Sequence, residues 1–143
     1  YRHFMLKEIH EQPDAIRETL TGRLHSGCVL EQVFGANASA IFDTVEHVQI
    51  VACGTSFHAG MIGRLWIENL AGIACQVEIA SEFRYRNPVI PKNTLVMTIS
   101  QSGETADTLA ALRMAKNQGA LTLSLCNVKN STIDREAGTQ HTP

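Results

Sequence analysis

Apolar and polar residues follow one another along the chain in a pattern that predicts four β-strands. Short apolar runs occupy residues 47–52, 75–80, 94–99 and 121–126, and turn or helix-start residues lie between them. The second run alternates between polar and apolar side chains, which favours a strand at the sheet edge or one with a less covered face. The pattern therefore indicates a sheet whose strands are well separated along the chain.

Two segments between these strands have the periodicity of amphipathic helices. The first, residues 57–70, ends before Gly72 and is predicted to lay its apolar face on the sheet. That face carries Ile62, Leu65, Trp66 and Leu70. The second follows the third strand, ends at Gly119, and is predicted to point Leu109 and Leu112 inward. Alternation of strands and helices over such connections predicts parallel pairing through right-handed crossovers.

The predicted fold is an α/β domain: a doubly wound parallel sheet of the flavodoxin-like type, with helices on both faces. Residues 45–143 carry that pattern, whereas residues 1–44 are predicted to form a helical N-terminal segment. Within this segment Pro13 is expected to separate two short helices, because proline suits a first helical turn better than a helix interior. Residues 21–37 are predicted to form a loop with one short turn.

Length and composition narrow the class of protein. The 143 residues suit one domain, and 44% apolar with 18% charged residues is typical of a soluble globular protein. The net charge of −2 gives no support for nucleic-acid or membrane-surface binding, and no apolar stretch approaches the roughly 20 residues of a membrane helix. The cysteines show no CxxC pairing or metal spacing, which predicts reduced thiols and a cytoplasmic location. We expect no metal and no other cofactor.

Hydroxyl-bearing loops follow the first and third predicted strands, and each opens a helix. The first loop is Cys53, Gly54, Thr55 and Ser56, and the second is Ser100, Gln101, Ser102, Gly103, Glu104 and Thr105. Parallel strands end at one edge of a sheet, and helix N-termini favour anions through unpaired N–H groups and partial positive charge. The second loop lacks Lys, Arg and the P-loop pattern, so we expect a small phosphorylated metabolite rather than a nucleoside triphosphate. The alternative is that the hydroxyls only cap the helices.

A few other side chains admit both a functional and a structural interpretation. His58 could donate to an anion, although a surface histidine is the more common case. Glu104 could act as a base, although a carboxylate in a first helical turn ordinarily complements the helix dipole. Cys53 could be a reactive thiol or a buried structural one. Arg84 and Arg86 could bind phosphate, but an interface or an ion pair is the preferred interpretation.

Four stretches give the chain a recognisable resemblance. CGTS after VQIVA, followed by SQSGETADT, resembles the sugar isomerase (SIS) domain of proteins that handle phosphosugars. YRHFMLKEIHEQP and VEIASEFRYR are similar to the first half of the isomerase part of the family's glutamine-dependent aminotransferases, and the match covers about residues 1–136. The resemblance implies an SIS fold and a part in converting fructose 6-phosphate to glucosamine 6-phosphate with ammonia from glutamine.

The resemblance also implies roles for individual residues. The sugar-phosphate contacts carry over to Thr55, Ser56, Ser100, Gln101, Ser102 and Thr105, while Cys53, Gly54 and Gly103 shape the loops. The implied partners are a glutaminase domain, a second SIS domain and a second copy of the chain, with residues 81–86 near the subunit contact. The family's acid–base residues lie in the second SIS domain, so no catalytic residue is expected in this sequence.

Both ends of the chain depart from the family pattern. The sequence opens without an initiator methionine, and AGTQHTP after Glu136 stands where the family has a further strand. We therefore expect an SIS domain that is truncated at the C-terminus, has its fifth strand skipped or altered, and binds a sugar phosphate weakly without catalysis. Two alternatives stay open: a non-catalytic SIS sensor of a transcriptional regulator, and a stand-alone phosphosugar isomerase. The sensor would usually carry a basic recognition helix, which the segment before Val45 does not provide.

Overall fold

The structure is a computed structural model that describes residues 1–137 and 139–141, with side chains described up to residue 137. The N-terminal part contains α1 (Phe4–Leu20), β1 (Leu24–His25), β2 (Cys28–Val29), a 3₁₀ helix (Glu31–Phe34) and α2 (Ala38–Phe42). The remainder contains β3 (His47–Ala52), α3 (Gly54–Trp66) with a π-helical extension (Ile67–Ala71), β4 (Ala74–Ile79), α4 (Ala80–Arg86), β5 (Thr94–Ser100), α5 (Ala106–Asn117), β6 (Leu121–Cys126), α6 (Thr132–Glu136) and β7 (Thr139–His141).

The main sheet has five parallel strands in the order β4-β3-β5-β6-β7. This order confirms the predicted doubly wound, flavodoxin-like sheet. β3 lies between β4 and β5, with His47 opposite Thr94 and Ala52 opposite Ile99. β4 lies at one edge, as its alternating polarity predicts. The four predicted strands agree with the structure to within one residue at each end.

The fifth strand, predicted to be skipped or altered, is present and only three residues long. Residues 139–141 form β7, which pairs in parallel with β6. The connection from Cys126 to Thr139 is long enough for a crossover and contains the short helix α6. Backbone hydrogen bonds between strands do not require the family's residue pattern, and a strand of three residues has too little periodicity to detect.

Helices cover both faces of the sheet because successive strand residues point to opposite sides. On one face Val51 and Val96 pack with Phe83 of α4 and Ala111 of α5, and all four side chains are buried. On the other face Ile50 belongs to a cluster that includes residues of α2 and the 3₁₀ helix. Burial of these two apolar clusters supplies the main driving force for the fold.

The apolar stripe of α3 faces solvent, contrary to the prediction. Between 50% and 84% of each side chain in it is exposed: Ile62, Leu65, Trp66 and Leu70. Gly60 makes the close contact with the sheet instead, since a Cβ at that position would lie 2.9 Å from Cγ2 of Ile50. Periodicity shows that a helix has an apolar face, but the fit against the neighbouring strands decides which face is buried.

α1 is a single helix where the sequence predicts two. It runs through Pro13, and none of its 17 residues is buried. Proline removes one backbone hydrogen bond from a helix interior, but a helix open to solvent lets water bond the freed carbonyl. The segment that follows, predicted as a loop, contains the antiparallel pair β1–β2. No helix in the described part of the chain has both the length and the apolar character of a membrane span.

Gly60→Ala and Gly63→Ala form a matched pair on α3. A Cβ at residue 60 would lie 2.9 Å from Cγ2 of Ile50 and 3.2 Å from Cγ1 of Val77, so we expect the free energy of unfolding to fall by about 1–2 kcal/mol. At residue 63 the nearest atom is 3.8 Å away, so alanine should raise it by about 0.5–1 kcal/mol through helix propensity. Urea denaturation measures both, and a stabilised Gly60→Ala variant would contradict the close packing.

Candidate functional site

The loops after β3 and β5 meet in one open cleft at the carboxyl edge of the sheet. β3 and β5 are neighbours with Ala52 opposite Ile99, so the residues that follow these two strands lie side by side. The cleft has a volume of about 290 Å³. Its lining consists of uncharged residues: Cys53, Gly54, Thr55, Ser56, Ile99, Ser100, Gln101, Ser102, Thr105 and Thr108.

The structure brings together nearly all the residues that the sequence predicts for the site. The six predicted sugar-phosphate contacts line the cleft: Thr55, Ser56, Ser100, Gln101, Ser102 and Thr105. Gly103 is buried and does not line it. Sequence reasoning missed Ile99 and Thr108. Thr108 is 1% exposed and lies three residues after Thr105, a helical spacing that could have revealed it.

The first loop turns sharply from strand to helix at Gly54. Its φ of 56° lies in the left-handed region, which glycine adopts without steric cost. Cys53 precedes it as the N-cap of α3 and makes no side-chain capping hydrogen bond. Thr55 is exposed and Ser56 is half-buried on the first turn of α3. The start of α3 therefore places two hydroxyls and unpaired backbone N–H groups at the cleft.

The second loop is held by its own hydroxyls. Ser100 Oγ accepts the N–H of Gly103 at 3.0 Å, and Ser102 Oγ accepts the N–H of Glu104 at 3.2 Å. Ser100 Oγ also lies 3.4 Å from Oγ1 of Thr105. A hydroxyl that accepts a backbone bond still has a hydrogen to donate. Ser100 and Ser102 can therefore shape the loop and donate to an anion at the same time.

The hydroxyls do not act as caps on the helices that the two loops open. Neither Cys53 at the start of α3 nor Thr105 at the start of α5 makes a side-chain bond to the first turn of its helix. The interpretation of the loops as simple caps is therefore wrong at both N-cap positions. Both helices keep the partial positive charge of an uncapped N-terminus beside the same cleft.

Gly103 fills a space that no other residue fits. Its φ is 68°, and a Cβ there would lie 2.0 Å from Oγ of Ser131 and 2.7 Å from Sγ of Cys126. Cys126 ends β6, and its Sγ lies 3.3 Å from Oγ of Ser131. The second loop is thus packed directly against the end of β6 and the start of α6.

Glu104 complements a different helix from the one that the sequence predicts. Its Oε1 accepts the N–H of Thr132 at 2.7 Å, at the start of α6 rather than α5. Hydrogen bonds from the backbone N–H and then from the side chain of Thr132 are the main causes that lower the pKa of Glu104, and the charge of Arg135 adds to them. Glu104 does not line the cleft, so the geometry does not support a role as a base.

The two arginines of α4 form ion pairs. Nη1 of Arg84 lies 2.9 Å from Oδ1 of Asp107, and Nη2 of Arg86 lies 2.7 Å from Oε1 of Glu78. Neither arginine lines the cleft. The preferred ion-pair interpretation of both residues is confirmed.

His58 and Cys53 differ in their relation to the cleft. His58 is exposed on α3 and does not line the cleft, which fits the surface interpretation. Cys53 is half-buried in the cleft wall, where the hydroxyl of Thr108 lies 3.9 Å from its sulfur. Across the residues that the structure describes, no three His, Cys, Asp or Glu side chains are grouped closely enough to hold a metal ion.

Residues 41–142 match the SIS domain family, so the chain belongs to that family. Over 138 residues it is 60% identical to the glutamine–fructose-6-phosphate aminotransferase (isomerizing) of Idiomarina loihiensis and 62% identical to that of Pseudomonas putida. Each match covers 96% of this chain, and the chain spans 23% of the length of these curated relatives. The resemblance to the family's glutamine-dependent aminotransferases is thereby confirmed.

A solved structure agrees with this assignment. The C-terminal domain of glucosamine-fructose-6-phosphate aminotransferase from Francisella tularensis superposes with a TM-score of 0.93 and is 46% identical to this chain. The match covers 99% of this chain and 40% of that one. The described part of the chain, including α1, therefore has the architecture found in that domain.

Gly103→Ala and Gly54→Ala test how tightly the second loop is packed. Both glycines have a left-handed φ, so alanine at either is strained by about 1–2 kcal/mol. No atom lies within 4 Å of a Cβ at Gly54, whereas a Cβ at Gly103 would overlap Ser131. We expect Gly103→Ala to lower the free energy of unfolding clearly more than Gly54→Ala. Equal losses in urea denaturation would contradict the packing of this loop on α6.

Proposed function

We propose that the cleft binds the phosphate group of a hexose 6-phosphate, with fructose 6-phosphate as the physiological ligand. One observation carries the proposal: the neighbouring strands β3 and β5 lead into two helices whose uncapped first turns line a single cleft. An uncapped helix N-terminus attracts anions, and hydroxyl and amide donors can replace the water that phosphate loses on binding.

The positions of the side chains in the cleft suggest which residues contact the phosphate and which contact the sugar. Ser100, Ser102 and Thr105, together with backbone N–H groups of the loop and α5, hold the phosphate. Thr55, Ser56 and Gln101 contact the phosphate and the sugar hydroxyls from the remaining wall. The donors are neutral, so binding by this chain is expected to be weak.

We also propose that the cleft serves a glutamine-dependent aminotransferase. The names of the relatives that are 60–62% identical contain both glutamine and fructose 6-phosphate, which favours this role over a regulatory sensor or a stand-alone isomerase. In the proposed reaction, ammonia from a glutaminase domain replaces the carbonyl oxygen of the bound ketose, which leaves as water. Isomerisation then gives glucosamine 6-phosphate, in the cytoplasm.

The acid–base chemistry of that reaction is proposed to come from outside this cleft. Isomerisation of a ketose moves a proton between neighbouring carbons and needs a side chain that accepts and returns it. The residues that line the cleft include no His, Asp, Glu or Lys. We therefore assign binding to this chain and catalysis to a second SIS domain.

Calorimetric titration with fructose 6-phosphate tests the site, with fructose as the ligand that lacks the phosphate. We expect binding of the phosphate ester only. Ser102→Ala should weaken it about tenfold or more, because a hydrogen bond to a charged group contributes about 1.5–3 kcal/mol. Ser39→Ala, on the exposed surface of α2, is the matched control and should bind like the wild type.

Three results would count against the proposed function. Equal affinities for fructose and fructose 6-phosphate would show that the phosphate group does not contribute to binding. NMR amide chemical shifts that change on titration, but not at residues around Thr55 and Ser102, would show that the ligand binds elsewhere. Turnover of fructose 6-phosphate by this chain alone would contradict the assignment of catalysis to another domain.

We propose further that two copies of the chain associate through the exposed stripe of α3. Trp66 is 64% exposed and Leu70 is 84% exposed, and apolar patches of this kind commonly mark contact surfaces.

Sedimentation velocity tests this association. The wild type should sediment with twice the mass of one chain, and Trp66→Ser combined with Leu70→Ser should sediment as one. The matched control is Val89→Ser, which replaces a side chain 91% exposed outside the stripe and should leave the dimer intact. A monomeric wild type, or a dimer that survives the double change, would refute the proposal.

A further inference from the structure

The second loop is attached to α6 by contacts that the binding function does not itself require. The N–H of Thr132 donates to Oε1 of Glu104 at 2.7 Å, and the N–H of Ile133 donates to the carbonyl of Gly103 at 3.0 Å. The N–H of Asp134 donates to Oγ of Ser131 at 3.4 Å. The first three N–H groups of α6 are thus all bonded, two of them by the second loop.

This arrangement joins two elements that are distant in sequence. Glu104 and Thr132 are 28 positions apart, and Gly103 packs on Ser131 without room for a methyl group. We call the contacts of Gly103 and Glu104 with Thr132 and Ile133 the α6 latch. It leaves the cleft face of the loop free, because neither Gly103 nor Glu104 lines the cleft.

The latch lies between the hydroxyls that face the cleft. The N–H of Glu104 donates to Oγ of Ser102, and the next residue, Thr105, begins α5. The N–H of Gly103 donates to Oγ of Ser100. Any displacement of Gly103 and Glu104 therefore moves three proposed phosphate donors together.

We propose that Glu104 is a positioning residue: by bonding the start of α6 it holds the second loop in the conformation that binds phosphate. The inference rests on the proposed function, since it assigns Glu104 a role at the same cleft. Glu104 is not a catalytic residue, because its carboxylate is directed to α6. The lowered pKa of Glu104 agrees with this geometry, because the hydrogen bonds from Thr132 favour the ionised carboxylate.

Two substitutions are expected to break the latch, one in the acceptor and one in the donor of the hydrogen bond between Thr132 and Glu104. Glu104→Ala removes the acceptor. Thr132→Pro removes the donor N–H, and proline is well tolerated there because residue 132 is the first position of α6. Ser131 has φ −65° and ψ 167°, an extended conformation that suits a residue before proline.

Each substitution has a conservative counterpart. Thr132→Ser keeps both the N–H and the hydroxyl, which accepts a hydrogen bond from Arg135 and also bonds the carboxylate of Glu104. Glu104→Gln keeps an oxygen that can accept from Thr132. Both controls should stay close to the wild type in affinity for fructose 6-phosphate. Glu104→Ala and Thr132→Pro should each weaken it about tenfold, the lower end of what loss of an outer supporting hydrogen bond costs at metal sites.

A variant that combines Glu104→Ala with Thr132→Pro should lose no more affinity for fructose 6-phosphate than either single variant, since both changes remove the same contact. A purely structural contact would behave differently: thermal stability would fall in both variants while the affinity of the folded protein stayed unchanged. That result would overturn the proposal. Additive losses of affinity would overturn it too, because Glu104 and Thr132 would then act independently.

Amide hydrogen exchange without ligand separates this inference from the proposed function. Breaking the latch should speed exchange at the N–H groups of Gly103 and Ile133 relative to those of β5. Unchanged exchange in both variants refutes the latch even where fructose 6-phosphate binds. If exchange is faster in the variants but the wild type does not bind the sugar phosphate, the latch exists and the proposed function is refuted. The role of Glu104 in binding is then refuted with it.

Discussion

The parallel pairing of β3 with β5 is the contact on which the site depends. Neighbouring strands are about 4.8 Å apart, so two strands that end in register start their loops within reach of one phosphate group. Ala52 opposite Ile99 supplies this register, and the apolar clusters on both faces of the sheet maintain it. If another strand lay between β3 and β5, Thr55 and Ser102 would be too far apart to contact the same phosphate group.

The anion recognition proposed for the cleft uses no cationic side chain, because none lines it. A helix N-terminus carries about half an elementary charge, so α3 and α5 together present about one positive charge in a fixed geometry. Neutral hydroxyl and amide donors add direction to this field. A site of this kind would hold a phosphate ester less tightly than one with a buried arginine or lysine.

Hydrogen bonds within the second loop and from the loop to α6 hold this segment of small polar residues in one conformation. Ser100 and Ser102 bond the loop's own N–H groups, and Gly103 and Glu104 attach it to α6. A binding site whose donors are already in place loses less conformational entropy when the ligand arrives. β6 and α6 therefore contribute to the site although Cys126, Ser131 and Thr132 do not line the cleft.

The sequence by itself determined the strands β3 to β6 and most of the residues that line the cleft, because strand alternation and helix-start chemistry are local properties. The bounds of β3 and β6 and the hydroxyls after Ala52 and Ile99 all follow from neighbouring residues. Only the tertiary structure decided which face of α3 is buried, that α1 continues through Pro13, and that Glu104 bonds α6. Each of these depends on contacts with distant residues or on exposure to solvent, which periodicity along the chain does not encode.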